Sequence, residues 1–195
     1  TGGSHKKSAN EYQRYSYHNI EILSLKGIYW KWRMHGGAIT LADKFNKIAE
    51  GKIKRMIINM PPRHTKSEFA SNMLPAWMIG RKPDLKIIQT THTTELAVRF
   101  GRKAKTLIDS PEYQEIFKTR LREDSQAAGK WETEQGGEYY AAGVGSAITG
   151  RGADLLIIDD PHSEQDALNA DALEKAYEWY TSGPRQRLPV SYTHL

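Results

Sequence analysis

The chain has no cysteine among its 195 residues. This absence excludes a disulfide framework and thiolate metal sites, and it agrees with a reducing compartment. Long apolar runs are also missing: none approaches the ~20 residues that span a bilayer, and no signal-peptide core follows the polar residues 1–7. We therefore expect a soluble protein of the cytoplasm.

Acidic residues are scarce in the first 55 positions. That segment holds 11 lysines and arginines against 4 aspartates and glutamates, a net charge of +7. The rest of the chain holds 17 basic and 19 acidic residues, a net charge of −2. A nucleic-acid partner would explain the basic segment, and a well-solvated helical face would explain it equally well.

Apolar spacing along the chain predicts alternating strands and helices after an unstructured leader at residues 1–10. Helices are expected at 11–26, 40–50, 67–79 and 94–108, with a kink at Pro75. Strands are expected at 56–60, 85–90, 137–142 and 153–159, with a further short strand or hairpin around 143–149. Residues 118–136 are expected to be a loop with one short strand at Trp131. Strands that alternate with helices indicate an α/β fold with a parallel sheet.

Glycine is missing from the loop in front of Lys66. The apolar residues 56–60, the Pro61-Pro62 turn and Lys66-Ser67 at a helix start follow the order of a nucleotide phosphate site, because a helix N-terminus favours anions. Lys66 would contact the β- and γ-phosphates, and the Ser67 hydroxyl would bind Mg²⁺. The usual pattern G-x-x-x-x-G-K-[ST] has glycine where Met60 and Thr65 stand. An ordinary strand–turn–helix with a surface lysine is therefore the alternative.

A second informative stretch is an apolar run, residues 155–158, that ends in Asp159 and Asp160. Such a run predicts a buried central strand, and ligands of open α/β sheets bind beyond the carboxyl ends of these strands. Asp159 would hold Mg²⁺ through water opposite Ser67, and Asp160 would orient or deprotonate an attacking water. A plain turn after a core strand is the alternative.

Together, four stretches resemble the ATPase domain of tailed-bacteriophage terminase large subunits. They are the loop 61–67, the glycine-rich segment 142–161, the pair Trp179-Tyr180 and residues 185–188. The resemblance implies a three-layer P-loop NTPase of the additional-strand type, mostly parallel, with helices on both faces and truncated at the C-terminus. It also implies ATP hydrolysis with Mg²⁺ that drives double-stranded DNA into a procapsid in the host cytoplasm.

The resemblance implies a set of partners and a division of the chain. The partners are double-stranded DNA, the portal protein, the small terminase subunit and further copies of the chain in a ring on the portal, with no membrane. Residues 1–10 would be a leader, 11–54 a helical region on the adenine side, 55–188 an incomplete ATPase core and 189–195 a tail unlike the family. No nuclease activity is expected.

The candidate site residues follow from the motifs and the resemblance together. Two arginines are added to Lys66 and Asp160 as catalytic residues. Arg63 would sense nucleotide in its own chain, and Arg151 would reach a neighbouring subunit's site. A plain surface arginine is the alternative for each of them. Ser67 and Asp159 would bind the metal. The nucleotide would contact Trp32, His35, Pro62, Arg63, His64, Thr65, Lys66 and Ser67, with the aromatic cluster at 28–32 stacking on adenine or simply packing in a core.

Two alternative functions remain open at this point. Thr65 is β-branched at a loop position that can require an unusual backbone angle, so the chain could bind nucleotide without turning it over. A helicase-like P-loop ATPase on the same fold is the other alternative.

Overall fold

The computed structural model describes residues 36–61, 66–148 and 150–189. Two compact units make up the chain, residues 1–57 and residues 58–195. In the first unit, helix α1 (Gly36–Ala49) buries the apolar stripe Leu41, Ala42 and Phe45. This agrees with the helix expected at 40–50. The helix expected at 11–26 lies outside the described residues.

The second unit is built on a five-stranded sheet with the order β2-β3-β4-β1-β5. Strand β1 pairs in parallel with β4 on one side and with β5 on the other, while β2–β3 and β3–β4 are antiparallel. The sheet is therefore mixed, and the expectation of a mostly parallel sheet is not confirmed. The strands are β1 (Lys86–Thr91), β2 (Leu121–Ala127), β3 (Lys130–Thr133), β4 (Glu138–Gly143) and β5 (Leu155–Ile158).

The antiparallel part of the sheet includes a hairpin, β2–β3, which lies within the stretch expected to be mainly loop. Its outward residues are polar, and Arg122 forms ion pairs with Asp124 and Glu132 across the exposed surface. Only a few positions face the core, chiefly the fully buried Trp131. Two short strands with so few apolar positions do not produce a clear alternating pattern, which is why the sequence indicated a loop here.

The strand expected at 56–60 is wrong, because the described residues there form no strand and pair with none of the five. Ile57 is 88% exposed, and the neighbouring positions alternate between exposed and half-buried. Apolar β-branched residues favour an extended backbone, but a strand forms only where a ladder partner is present. Residues 146–148 also lie outside any strand.

The two faces of the sheet are covered by different helices. Helix α3 (Thr94–Ile108) approaches one face so closely that a Cβ on Gly101 would stand 2.4 Å from the Ala128 carbonyl oxygen. There the Trp131 indole N–H donates to the Gly101 carbonyl at 3.1 Å, and the Trp131 and Tyr139 rings stack at 4.8 Å. On the other face, Trp179 of helix α5 (Ala170–Ser182) packs on a cluster that contains Ile88.

A π-helical turn and two further helices of the second unit pack against one another. A π-helical turn (Glu68–Met73) leads into helix α2 (Leu74–Arg81), and a short helix α4 (Pro111–Ile116) bonds back through Tyr113 Oη to the Ala76 carbonyl at 2.8 Å. The kink expected at Pro75 takes the form of this wider turn. A proline has no N–H and its ring crowds the carbonyl four residues earlier, so the π-helical turn accommodates it.

Replacing Trp131 by alanine tests the packing of α3 on the sheet. We expect the free energy of unfolding to fall by about 3–5 kcal/mol, because the substitution leaves a cavity under α3 and removes the ring stacked on Tyr139. Urea denaturation measures the change. Tyr177→Ala is the control, since Tyr177 is 60% exposed and its loss is expected to cost under about 0.5 kcal/mol. Equal losses in the two variants would contradict this account of the core.

Candidate functional site

Three of the predicted site residues meet beyond the carboxyl end of β5. Lys66 stands in helical conformation just before the π-helical turn, and Asp159 and Asp160 directly follow the strand. The Lys66 Nζ atom lies 3.1 Å from Asp159 Oδ1 and 2.5 Å from Asp160 Oδ1. One ammonium group therefore bridges two carboxylates that belong to a different element of the fold.

Asp159 is the buried carboxylate of this cluster, with 6% of its surface exposed. Its backbone N–H donates to the Thr90 carbonyl at 2.9 Å, which continues the β1–β5 ladder one residue past the strand. The Ser71 hydroxyl donates to Asp159 Oδ2 at 2.8 Å, while Oδ1 faces Lys66. A buried carboxylate is costly unless both its charge and its lone pairs are satisfied, and Lys66 and Ser71 satisfy them.

Asp160 differs from its neighbour in exposure and in backbone conformation. Its side chain is 62% exposed, and its φ of 44° places it in the left-handed region. Aspartate tolerates this region better than most residues, at a cost of about 1–3 kcal/mol. The His92 N–H donates to the Asp160 carbonyl at 3.1 Å and so holds the strained peptide beside the end of β1. Strain of this kind is concentrated at functional sites.

The charge of Lys66 is stabilised by its two partners. Burial by itself would lower the pKa of Lys66, but hydrogen bonds from its ammonium group to Asp160 and Asp159, together with their negative charges, outweigh burial and raise this pKa. Lys66 is therefore a cation throughout the neutral range. Its positive charge is available to any anion that displaces the carboxylates.

Ser71 is the residue of this site that the sequence did not reveal. The metal ligand predicted on this helix was Ser67, yet the hydroxyl that reaches Asp159 comes from Ser71. Glu68, the residue after Ser67, accepts from Asn72 at 2.5 Å and forms an ion pair with Lys103 of α3 at 3.2 Å. The π-helical turn sets which residues face the sheet, and its wider register cannot be derived from a 3.6-residue period.

Arg151 lies at the opposite end of the sheet from Lys66. It forms an ion pair with Glu138 and stands over the Tyr140 ring, 4.3 Å from its centroid. Glu138 is in register with Lys86, the first residue of β1, whereas Asp159 follows the last residue of β5. These two levels are five residues apart, about 17 Å along the strands. Arg151 is therefore remote from Lys66, Asp159 and Asp160 of its own chain.

Two histidines that were not among the predicted site residues flank the acidic turn. His92 directly follows β1, and His162 follows Asp160 by two residues. Hydrogen bonds from the Ser163 hydroxyl and N–H lower the pKa of Asp166, and His162 and His92 add to this shift. Their positions shortly after strands that end at the same sheet edge were the signal available in the sequence.

Six of the predicted nucleotide contacts lie outside the described residues and remain predictions. They are Trp32, His35, Pro62, Arg63, His64 and Thr65.

The donor set suits a hard divalent cation only in part. Within the three described ranges, no group of three or more histidine, cysteine, aspartate or glutamate side chains could hold a metal ion. Mg²⁺, however, is commonly bound by one or two carboxylates together with substrate phosphates and water. Asp159 and Asp160 supply such a pair, so the residues present fit Mg²⁺ that arrives with a phosphorylated ligand.

Also within the described ranges, no helix is both long and apolar enough to cross a bilayer.

The fold and this cluster define an α/β protein with a lysine–carboxylate site at a sheet edge. The family model that matches the chain is that of the tRNA-queuosine alpha-mannosyltransferase N-terminal domain, over residues 1–60. The matched segment contains the basic part of the chain and ends before Lys66. No curated protein matches the chain. The matched family is one of enzymes, which agrees with the coarse prediction that the chain is an enzyme.

This match contradicts the terminase assignment. The predicted role in DNA packaging is wrong, and so are its predicted partners: double-stranded DNA, the portal protein, the small terminase subunit and a ring of copies on the portal. The motifs misled for a physical reason. A lysine at a helix start and carboxylates at a strand end occur wherever an α/β sheet binds phosphate, so they indicate a kind of chemistry and not a family.

Replacing Lys66 by methionine tests the bridge between the carboxylates. We expect the free energy of unfolding near neutral pH to fall by about 1–3 kcal/mol, because buried Asp159 loses its charged partner. The raised pKa means that the stabilisation is fully present below the ordinary lysine value of 10.5 and is lost as the pH rises through the folded-state pKa. Urea denaturation of both proteins from neutral to strongly alkaline pH measures the difference.

The control for this experiment is Lys105→Met. Lys105 forms an ion pair with Asp109 one helical turn away, at 3.6 Å. Such surface pairs contribute about 0–1 kcal/mol. A stability difference between wild type and Lys66→Met that stays constant through the alkaline range would show that the bridge does not carry the stabilisation.

Proposed function

We propose that Lys66, Asp159 and Asp160 form the binding site for the phosphate groups of a nucleotide, with ATP and Mg²⁺ as its ligands. The observation that carries this proposal is the bridge itself: one lysine in a helical segment lies within 3.1 Å of two carboxylates at the end of a parallel strand. This finer assignment, a P-loop type of phosphate site on the α/β fold, rests on that geometry. The proposal includes neither DNA packaging nor a terminase.

The chemistry of the site follows from an exchange of partners. Bound phosphates would take the ammonium group of Lys66, and the cation that accompanies them would take the Asp159 carboxylate, while Asp160 would stay available as a proton acceptor. The charges on both sides then remain paired, so the exchange avoids leaving Asp159 buried and unpartnered. When bound, Mg²⁺ would neutralise charge on the phosphate oxygens. Ser67, at the start of the same helix, keeps its predicted role as a further ligand.

Hydrolysis of ATP is the reaction that this arrangement serves best. Water would attack the terminal phosphorus as the bond to the bridging oxygen breaks, which yields ADP and inorganic phosphate. Asp160 would accept the proton of that water, because its carboxylate is exposed and its strained backbone points it towards Lys66. Lys66 would stabilise the negative charge that develops on the phosphate oxygens.

A second candidate function comes from the family match over residues 1–60. The matched family modifies tRNA with mannose, and the basic excess of +7 in residues 1–55 suits a polyanionic RNA. A mannose carried on a nucleoside diphosphate would place its phosphates at the same lysine–carboxylate site. The sugar–phosphate bond would break as a tRNA hydroxyl bonds to the sugar carbon, and the hydroxyl proton would pass to a carboxylate.

Nucleotide titration tests the proposal. We expect ATP to bind by isothermal titration calorimetry when Mg²⁺ is present, and we expect Lys66→Ala to weaken this binding at least about 100-fold, since the phosphates lose their cation. Lys105→Ala is the matched control: this lysine of α3 pairs with Asp109 and not with the acidic turn. Equal affinity of wild type and Lys66→Ala for ATP would overturn the proposal.

Product analysis then separates the two reactions. Release of inorganic phosphate from ATP that needs Lys66 and Asp160 supports hydrolysis. Transfer of labelled mannose from a nucleoside diphosphate mannose to queuosine-containing tRNA, without phosphate release from ATP, supports the second candidate.

A further inference from the structure

The Asp159 carboxylate is held on the side away from Lys66 by one hydroxyl group. Ser71 is fully buried, and its Oγ donates to Asp159 Oδ2 at 2.8 Å. The other oxygen, Oδ1, faces Lys66 at 3.1 Å. The two oxygens therefore have different partners, and the plane of the carboxylate is fixed by the bond to Ser71.

The position of Ser71 depends on the π-helical turn Glu68–Met73. The turn carries Ser71, Asn72 and Met73 into the interior. Its first residue, Glu68, is tied to Lys103 of α3, and its last adjoins the helix that contains Pro75. Short π-helical segments within α-helices are frequent at functional sites. The turn thus places a hydroxyl on Asp159 that an unbroken α-helix would direct elsewhere.

We infer that Ser71 is the positioning residue of the cation site, a role that rests on the proposed function. By holding Oδ2, it keeps Oδ1 turned to the side from which a phosphate-bound cation arrives. Ser71 touches neither ligand and acts only through Asp159. Partners that orient ligating carboxylates from behind typically change metal affinity by 10- to 100-fold when they are removed.

Direct metal binding tests this inference without any turnover. Mn²⁺ serves as a paramagnetic probe, and the free ion is counted by electron paramagnetic resonance in the presence of a non-hydrolysable ATP analogue. Ser71→Ala is expected to raise the Mn²⁺ dissociation constant about tenfold. The affinity for the analogue is also measured in excess chelator, where Lys66 binds the phosphates without a metal ion. Under that condition the affinity of Ser71→Ala is expected to stay within about twofold of wild type, a difference of about 0.4 kcal/mol.

Two further variants keep the result interpretable. Ser71→Cys retains the size and a weak donor, so it is expected to bind Mn²⁺ with an affinity between those of wild type and Ser71→Ala. Ser182→Ala is the matched control, because the Ser182 hydroxyl donates to the Glu178 carbonyl within α5 and not to the acidic turn. Circular dichroism reports whether each variant is folded.

Each outcome bears on a different claim. Wild type that binds Mn²⁺ and the analogue, with Ser71→Ala binding Mn²⁺ equally well, overturns the role of Ser71 and leaves the proposed function standing. Wild type that binds neither overturns both. If Ser71→Ala loses affinity both for Mn²⁺ and for the analogue in excess chelator, the substitution has a general structural effect, which contradicts a positioning role.

Discussion

The ion bridge between Lys66 and the two carboxylates is the interaction on which the rest of the second unit depends. Asp159 is buried although β5 is an edge strand of the described sheet and not the central strand that the sequence predicted, and an uncompensated buried charge would be costly. Its compensation comes from another element, the helical segment that contains Lys66, together with the hydroxyl of Ser71. Bringing that segment to the end of β5 requires the π-helical turn, the packing of α2 and the tie between Glu68 and Lys103.

At Asp160 the backbone conformation and the side chain favour different residue types. Asp160 adopts a left-handed conformation that favours glycine, and its peptide is held by His92 at the end of the neighbouring strand. A glycine there would relieve the strain but would remove the second carboxylate. An aspartate at a strained position points to a role for its side chain in binding or chemistry. The sheet that carries this turn packs under α3, where the Trp131 and Tyr139 rings stack.

The sequence predicted the parts of this site that depend on strand ends and helix starts. Asp159 and Asp160 end an apolar strand and Lys66 begins a helix, and such termini converge in α/β sheets. Ser71 could not be predicted, because a π-helical turn changes which residues face inward. The short strand expected at Trp131 is present as β3, but its hairpin partner β2 was missed, because the outward residues of the hairpin are polar. The strand expected around Ile57 was wrong, because an extended apolar segment does not by itself supply a pairing partner.

Assignment to a family from the same residues failed for a related reason. Lys66 and the acidic strand indicate phosphate chemistry, which many proteins share, whereas the family match falls on residues 1–60, ahead of both.

The central claim is that phosphate replaces the carboxylates as the partner of Lys66. An experimental structure with Mg²⁺ and a non-hydrolysable ATP analogue tests it most directly. The account predicts phosphate oxygens at Lys66 Nζ and the metal beside Asp159, while a Lys66 still bonded to Asp160 with the analogue bound elsewhere would contradict it.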